Sequence, residues 1–431
     1  MAASGFLRRA HESSGSERNT ADMAADTISP PQFDTLPEEL LIEVLQRLPL
    51  EDGGRCECVC KRWFNSISSP YFGRCYNRHR SSFPPRFALF FQRTSTANGA
   101  VPVNQSGVHL ANDEEAHTIF NSPGFSFSFL PPPFSEPVRL VASSNGLVLC
   151  STFKYFHKLY YVCNPLTMHW VALPPPPTRH NRVRVGFICN QDFDNGMTSL
   201  FKVVRIPEFE NESQLHTSLK LEIFSSKTGE WTDDSVISWH KPVFGSTPLC
   251  NDPVVCNGML HWRYVNQNHI FAFDPYKQAN REFRTIDLPK ESCKEASVHL
   301  VGESRGRLRY AEFHQGTFGV WELEDQSSGQ WCSVHKFHQS EIVWEDPKIA
   351  IFTTQCFHLM HILAFHPLEG DFVFLVLPGH IIECNMRSRS LKSLYSLTNR
   401  TAELHHRIFP YVLPWWPVQF LKDDGNSLIR Q

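Results

Sequence analysis

Three cysteines at alternate positions, Cys56, Cys58 and Cys60, are the first residues whose type and spacing could do chemistry. Thiolates bind zinc, but zinc sites set one short cysteine step against a second cysteine or histidine step, and none follows here at finger spacing. On a helix, Cys58 would point away from the face shared by Cys56 and Cys60. Buried free thiols are the expectation. His358, His361 and His366 form a second cluster. Their steps of three and five do not repeat on one face of a strand, which speaks against a shared metal. His-Glu-x-x-His and the phosphate-cradling Gly-x-x-x-x-Gly-Lys are absent, and the carboxylates are scattered without an obvious pair. No catalytic, metal or cofactor site is expected. The chemistry to look for is recognition.

The elements that would carry recognition fall into two textures. Residues 36–63 read LPEELLIEVLQRLPLEDGGRCECVCKRW. Leu36, Leu40, Leu41, Val44, Leu45 and Leu48 recur at helical spacing behind Pro37, and the pattern stops at Leu48-Pro49. A second short segment carries Val59, Cys60 and Trp63. Helices this short cannot bury so much apolar surface against one another, so the unit needs a partner.

The runs Leu36-Pro37-x-Glu39-Leu40-x-Ile42-x-Val44-Leu45-x-x-Leu48-Pro49, Cys58-Val59-Cys60-Lys61-x-Trp63 and Ser68-Ser69-Pro70-x-Phe72 resemble an F-box. The resemblance implies docking on a Skp-family adaptor and, through it, membership of a cullin-type ubiquitin ligase. The adaptor contacts it implies are Leu36, Pro37, Leu40, Ile42, Leu45, Leu48, Pro49, Val59, Cys60 and Trp63. Some of these must pack the helices together and others must face the adaptor. Gly53-Gly54 departs from the family, which usually has apolar residues there. Each glycine costs a helix interior about 1 kcal/mol relative to alanine. Asp52 as an N-cap would place both in the first turn, where the cost is smaller.

From about Phe87 helical periodicity gives way to short apolar runs between turn residues, the texture of an all-β domain. RLVASSNGLVLCSTF and DPVVCNGMLHWRYV each hold an Asn-Gly pair (Asn145-Gly146, Asn257-Gly258), a hairpin turn in which both residues need positive φ. Each is followed by a strand ending in Asn164-Pro165 or Asp274-Pro275, then a last strand closed by Leu-Pro. Aligning the residue that opens the last strand gives Trp170, Trp231, Phe283, Trp331 and Leu391, separated by 61, 52, 48 and 60 residues. Four-stranded units of this length mark a kelch-like β-propeller. FALFFQ, FSFSFLP and the C-terminal IFPYVLP are expected to supply a sixth blade from both ends of the chain, with seven or eight blades as alternatives. Closing the ring this way removes exposed sheet edges. Ser144-Asn145-Gly146-Leu147, Asn164-Pro165-x-Thr167 and Trp170 to Pro174 further resemble the F-box-associated domain of plant F-box proteins, which implies substrate recruitment.

The expected fold is thus a small all-α F-box module followed by an all-β propeller. Its parts are a disordered tail at 1–32, the F-box at 33–75, a short basic connector at 76–86, the propeller at 87–418 and a tail at 419–431. A net charge of −3 gives no pull towards nucleic acid or an anionic membrane, and no run of 18 apolar residues exists to span one. Thirteen scattered cysteines behind a polar N-terminus with no secretory signal suit reduced thiols in cytoplasm or nucleus. The substrate is expected to be a protein, met by the loops 190–199, 208–218 and 262–268. Two alternatives remain: a ligase-independent F-box scaffold, or a glycan-binding propeller in which Trp239 and Trp415-Trp416 stack on sugar faces.

Overall fold

A computed structural model describes residues 36–416 of the 431, except for internal segments, the longest being 94–107, 111–122, 208–217, 238–252 and 397–405. The two tails, Trp239, Trp415 and most of the three loops named above lie outside the described residues. Trp262 is among the described ones. It belongs to the strand Met259–Arg263 and is buried in the core, so it is no loop residue.

Among the described residues four helices come first: α1 (Glu38–Leu45), α2 (Leu50–Cys56), α3 (Lys61–Ile67) and α4 (Pro70–Arg80). Pro49 is the N-cap of α2, so the helix starts three residues earlier than an Asp52 cap requires, and both glycines fall inside it. Helix α4 is set by its own chemistry. Ser69 Oγ accepts the Phe72 amide at 3.1 Å, and Pro70 occupies the first turn. It runs on to Arg80, through residues expected in the connector, because Tyr76 is buried and its hydroxyl donates to the Leu48 carbonyl at 3.0 Å.

The β region is a propeller of five full blades, spanning residues 139–172, 183–237, 254–287, 298–338 and 361–396, each with four antiparallel strands in sequential order. The fifth gains a parallel outer strand, Val343–Trp344. This corrects the expected six, seven or eight full blades. The remaining place is held by a three-stranded sheet in which Phe87–Arg93 lies between Val108–Leu110 and His406–Val412. His406–Val412 packs beside the first strands of the fifth and first blades, so the two ends of the β region meet. FSFSFLP adds no strand: Pro123–Ser126 is a 3-10 turn, and Phe125 and Phe127 are buried against Phe90.

The turn chemistry follows the sequence. Asn145, Gly146, Asn257 and Gly258 all have positive φ. In the first, third and fifth blades the third strand runs into a residue whose side-chain carboxyl or amide oxygen accepts the next turn's backbone. Asn164 takes the Leu166 amide at 2.9 Å, Asp274 that of Tyr276 at 2.8 Å and Asn385 that of Arg387 at 3.0 Å. The aligned aromatics serve packing between blades. Trp231 Nε1 donates to Pro174 O and Trp331 Nε1 to Asp287 O, both at 2.7 Å and both to the exit of the preceding blade.

His366 sits at the seam between the fifth blade and the closing sheet. Its Nδ1 accepts the Leu368 and Glu369 amides at 3.2 and 2.9 Å, and its ring lies 4.3 Å from that of Phe87. Burial pushes its pKa down from 6.5 to about 4. A depressed folded pKa means that stability is fully present above pH 6.5 and is lost as pH falls through about 4. The loss is at most on the order of 3 kcal/mol. Half-buried carboxylates such as Glu303 and Glu383, raised by desolvation, work in the opposite direction. Urea unfolding of wild type and His366→Gln from pH 7 to 4 separates the two: the variant is expected to lose the histidine's share of the slope, and parallel curves would refute this role.

Candidate docking surface on the helical module

The helical module has a small core of its own. Leu41, Ile42 and Leu45 of α1 pack against Ile67, Phe72 and Tyr76, with Leu48 and Trp63 partly buried at the margin. Arg80 Nη2 donates to the Leu48 carbonyl at 2.7 Å, and Arg62 donates to the Leu36 carbonyl, so both sides of α1 are tied to later helices. This divides the expected adaptor contacts. Ile42 and Leu45 are buried and shape the module; Leu36, Leu48 and Trp63 are half-buried; Pro37, Leu40, Pro49, Val59 and Cys60 are exposed.

A surplus of apolar surface is left. Nine large hydrophobic residues are exposed among the described residues, and five of them stand on this short module: Leu40, Val44, Val59, Phe64 and Tyr71, each between 45% and 61% accessible. Leu40 and Val44 are four apart on α1 and so share one stripe. Val44, Phe64 and Tyr71 were not among the expected contacts. The four-residue step from Leu40 was the signal for Val44.

Gly53 has a partner of its own. It is buried, and a Cβ built there would lie 3.0 Å from Cζ3 of Trp416. Trp416 comes from beyond the last propeller strand, yet it is buried in the helical core. It meets Phe72 edge-on at 4.9 Å and Tyr76 at 4.8 Å between ring centroids. It is therefore no exposed platform for a sugar. Gly54 has no neighbour that accounts for it.

The remaining chemical candidates change character. Cys58 and Cys60 are exposed, not buried, because α2 ends at Cys56 and both lie in the turn before α3. Among the described residues no group of three or more His, Cys, Asp and Glu could hold a metal ion, and no helix is long and apolar enough to cross a membrane. Gly302-Glu303-Ser304-Arg305-Gly306 has the spacing of a nucleophile elbow, which needs a strand-to-helix turn. Here it crosses an antiparallel hairpin, and the buried Ser304 hydroxyl donates to the His366 carbonyl at 2.6 Å.

Four short helices with an unsatisfied apolar surface, ahead of a β-propeller, define an F-box protein of the propeller class. Family comparison agrees. Residues 33–78 match the F-box-like model and residues 113–408 match the model described as F-box protein At3g26010-like, beta-propeller. The chain belongs to that family of F-box β-propeller proteins. Similar proteins from Arabidopsis thaliana include F-box protein At1g49990, 26% identical and aligned over 79% of this chain and 81% of its own length. F-box protein At3g26010 is also 26% identical, over 83% and 79%, and F-box protein At5g49610 is 25% identical, over 84% and 91%.

Proposed function

We propose that this protein is a non-catalytic substrate-recognition subunit of a cullin-type ubiquitin ligase, working in the cytoplasm, the nucleus or both. The helical module docks on a Skp-family adaptor, which links it to the cullin, and the propeller recruits a protein substrate. The single observation that carries this reading is the apolar surface left on the module by Leu40, Val44, Val59, Phe64 and Tyr71. So many exposed apolar residues on so small a unit ask for a covering partner, and the F-box match supports a Skp-family adaptor as that partner. Of the remaining expected contacts, Pro37, Pro49 and Cys60 are exposed on the same module and Leu36 is half-buried, while Ile42 and Leu45 are buried in its core.

Transfer of ubiquitin needs no side chain of this protein. It raises the local concentration of substrate lysines near a thioester carried by another subunit. The test is capture of purified Skp-family adaptor by the full chain. Leu40→Asp with Val59→Asp is expected to weaken capture at least about 30-fold, the weight of one hot spot. Val343→Asp, an equally exposed apolar residue on the outer edge of the fifth blade, is expected to leave it unchanged. Equal capture by all three proteins would overturn the assignment of this surface.

A further inference from the structure

The end of the last strand and the segment that follows it are tied to neighbouring elements. The Tyr411 hydroxyl donates to the Gly146 carbonyl at 3.0 Å, and the Leu413 amide donates to the Arg86 carbonyl, in the connector, at 2.8 Å. Pro414 lies where a Cβ on Gly146 would be, with its Cγ 2.5 Å from that position. Gly146 also has a φ of +79°, so the turn that shapes the first hairpin doubles as the seat of this strap. Trp416 then enters the helical module above Gly53. Leu50, three residues before Gly53 on α2, packs both into the module's core and against the core shared by the closing sheet and the first blade. One face of α2 is therefore the seat of the propeller, and the exposed apolar residues of the module lie elsewhere.

Domains joined by a short connector move relative to one another unless a sizeable hydrophobic contact holds them. We infer that Trp416 is a positioning residue: seated on Gly53 between Phe72 and Tyr76, it fixes the propeller's orientation relative to the docking module. This builds on the proposed adaptor role, in which a fixed orientation sets where a bound substrate sits relative to the ligase. It also gives the departure at Gly53 a cause. The side chain missing from α2 is the space that the indole fills.

The test uses the full chain carrying bio-orthogonal donor and acceptor dyes at the exposed positions Arg78 and Lys290, with single-molecule energy transfer read alone and with the adaptor bound. Wild type is expected to give one narrow distribution. Trp416→Ala should make it about twice as wide, the behaviour of domains released from their contact, and Trp416→Phe should stay near wild type because a ring still reaches Phe72 and Tyr76. Gly53→Leu guards against simple unfolding. Leucine is the better helix former but takes the indole's place, so helix content should hold or rise while the distribution widens. Narrow distributions in both Trp416→Ala and Gly53→Leu, with helix content intact, would overturn the inference. Failure of the wild type to capture adaptor would overturn the proposed function and leave the distance result standing.

Discussion

Replacing Arg205 with methionine is expected to cost the propeller about 3–5 kcal/mol, the loss seen when one partner of a buried ion pair is removed. Arg205 is fully buried in the second blade and pairs with Glu222, which is almost as deep. The pair holds more than itself. Arg205 Nη1 donates to the Thr178 carbonyl at 3.2 Å, and Glu222 accepts the Thr178 amide at 3.1 Å and its hydroxyl. Thr178 lies on the segment between the first and second blades, so one ion pair fastens a blade-to-blade crossing. The Arg205 guanidinium also stands 5.9 Å from the centroid of Trp231, the aromatic that opens the blade's last strand. Burial raises the Glu222 pKa even with Arg205 beside it, so removing Arg205 leaves a buried carboxyl that must either stay ionised without a counter-charge or take up a proton, and either costs stability. The double variant Arg205→Met with Glu222→Leu should recover most of the loss, since replacing both ions with apolar groups is often neutral. Urea midpoints of the wild type, each single variant (Arg205→Met and Glu222→Leu) and the double variant decide it. If Arg205→Met is no less stable than the double, the pair does not hold the crossing.

How far sequence alone could go depends on whether a signal was local. Asn145-Gly146 and Asn257-Gly258 declared their hairpins because positive φ at two successive positions selects those residues. The pairing of the two ends was legible for a similar reason. FALFFQ and IFPYVLP are apolar runs left over after the repeats, and they pair from Phe87 with Val412 to Arg93 with His406. In the helical module, proline and leucine spacing gave the first helix, but not which leucines face outward. Leu40 and Leu41 are adjacent in sequence and opposite in exposure. The faces of Cys56, Cys58 and Cys60 were argued on a continuous helix, and the early end of α2 removed the premise. Trp416 was beyond reach. A tryptophan after the last strand reads as a surface aromatic until the fold brings it to Gly53, roughly 360 positions earlier in the chain; nothing local marks such a contact. The same tertiary cause hid Phe125 and Phe127, whose alternation imitates a half-buried strand.

What makes that imitation fail is Gly124, and its substitution carries the second large effect. A Cβ there would fall 1.8 Å from the carbonyl oxygen of Pro165 and 3.2 Å from Met168 Cγ, both in the turn that ends the first blade's third strand. No rotamer relieves a clash with backbone, so Gly124→Ala must push the 123–130 segment off the blade. Phe125, Phe127 and Leu130 are all buried in the core shared with Phe90 and Tyr411, and Phe125 lies 5.9 Å from Phe90 and 5.7 Å from Tyr411. Dislodging even one phenylalanine would cost about 3–5 kcal/mol by analogy with truncating it. Gly229 supplies the control. Its φ of +72° makes an alanine strained, yet no atom lies within 4 Å of the added Cβ. Strain alone is worth about 1–2 kcal/mol. Gly124→Ala should therefore lower the urea midpoint at least about twice as far as Gly229→Ala, and should also change the near-ultraviolet dichroism of the displaced aromatic rings. Equal midpoints with an unchanged aromatic signal would mean that the segment yields without moving its phenylalanines, and that the closing sheet does not depend on them.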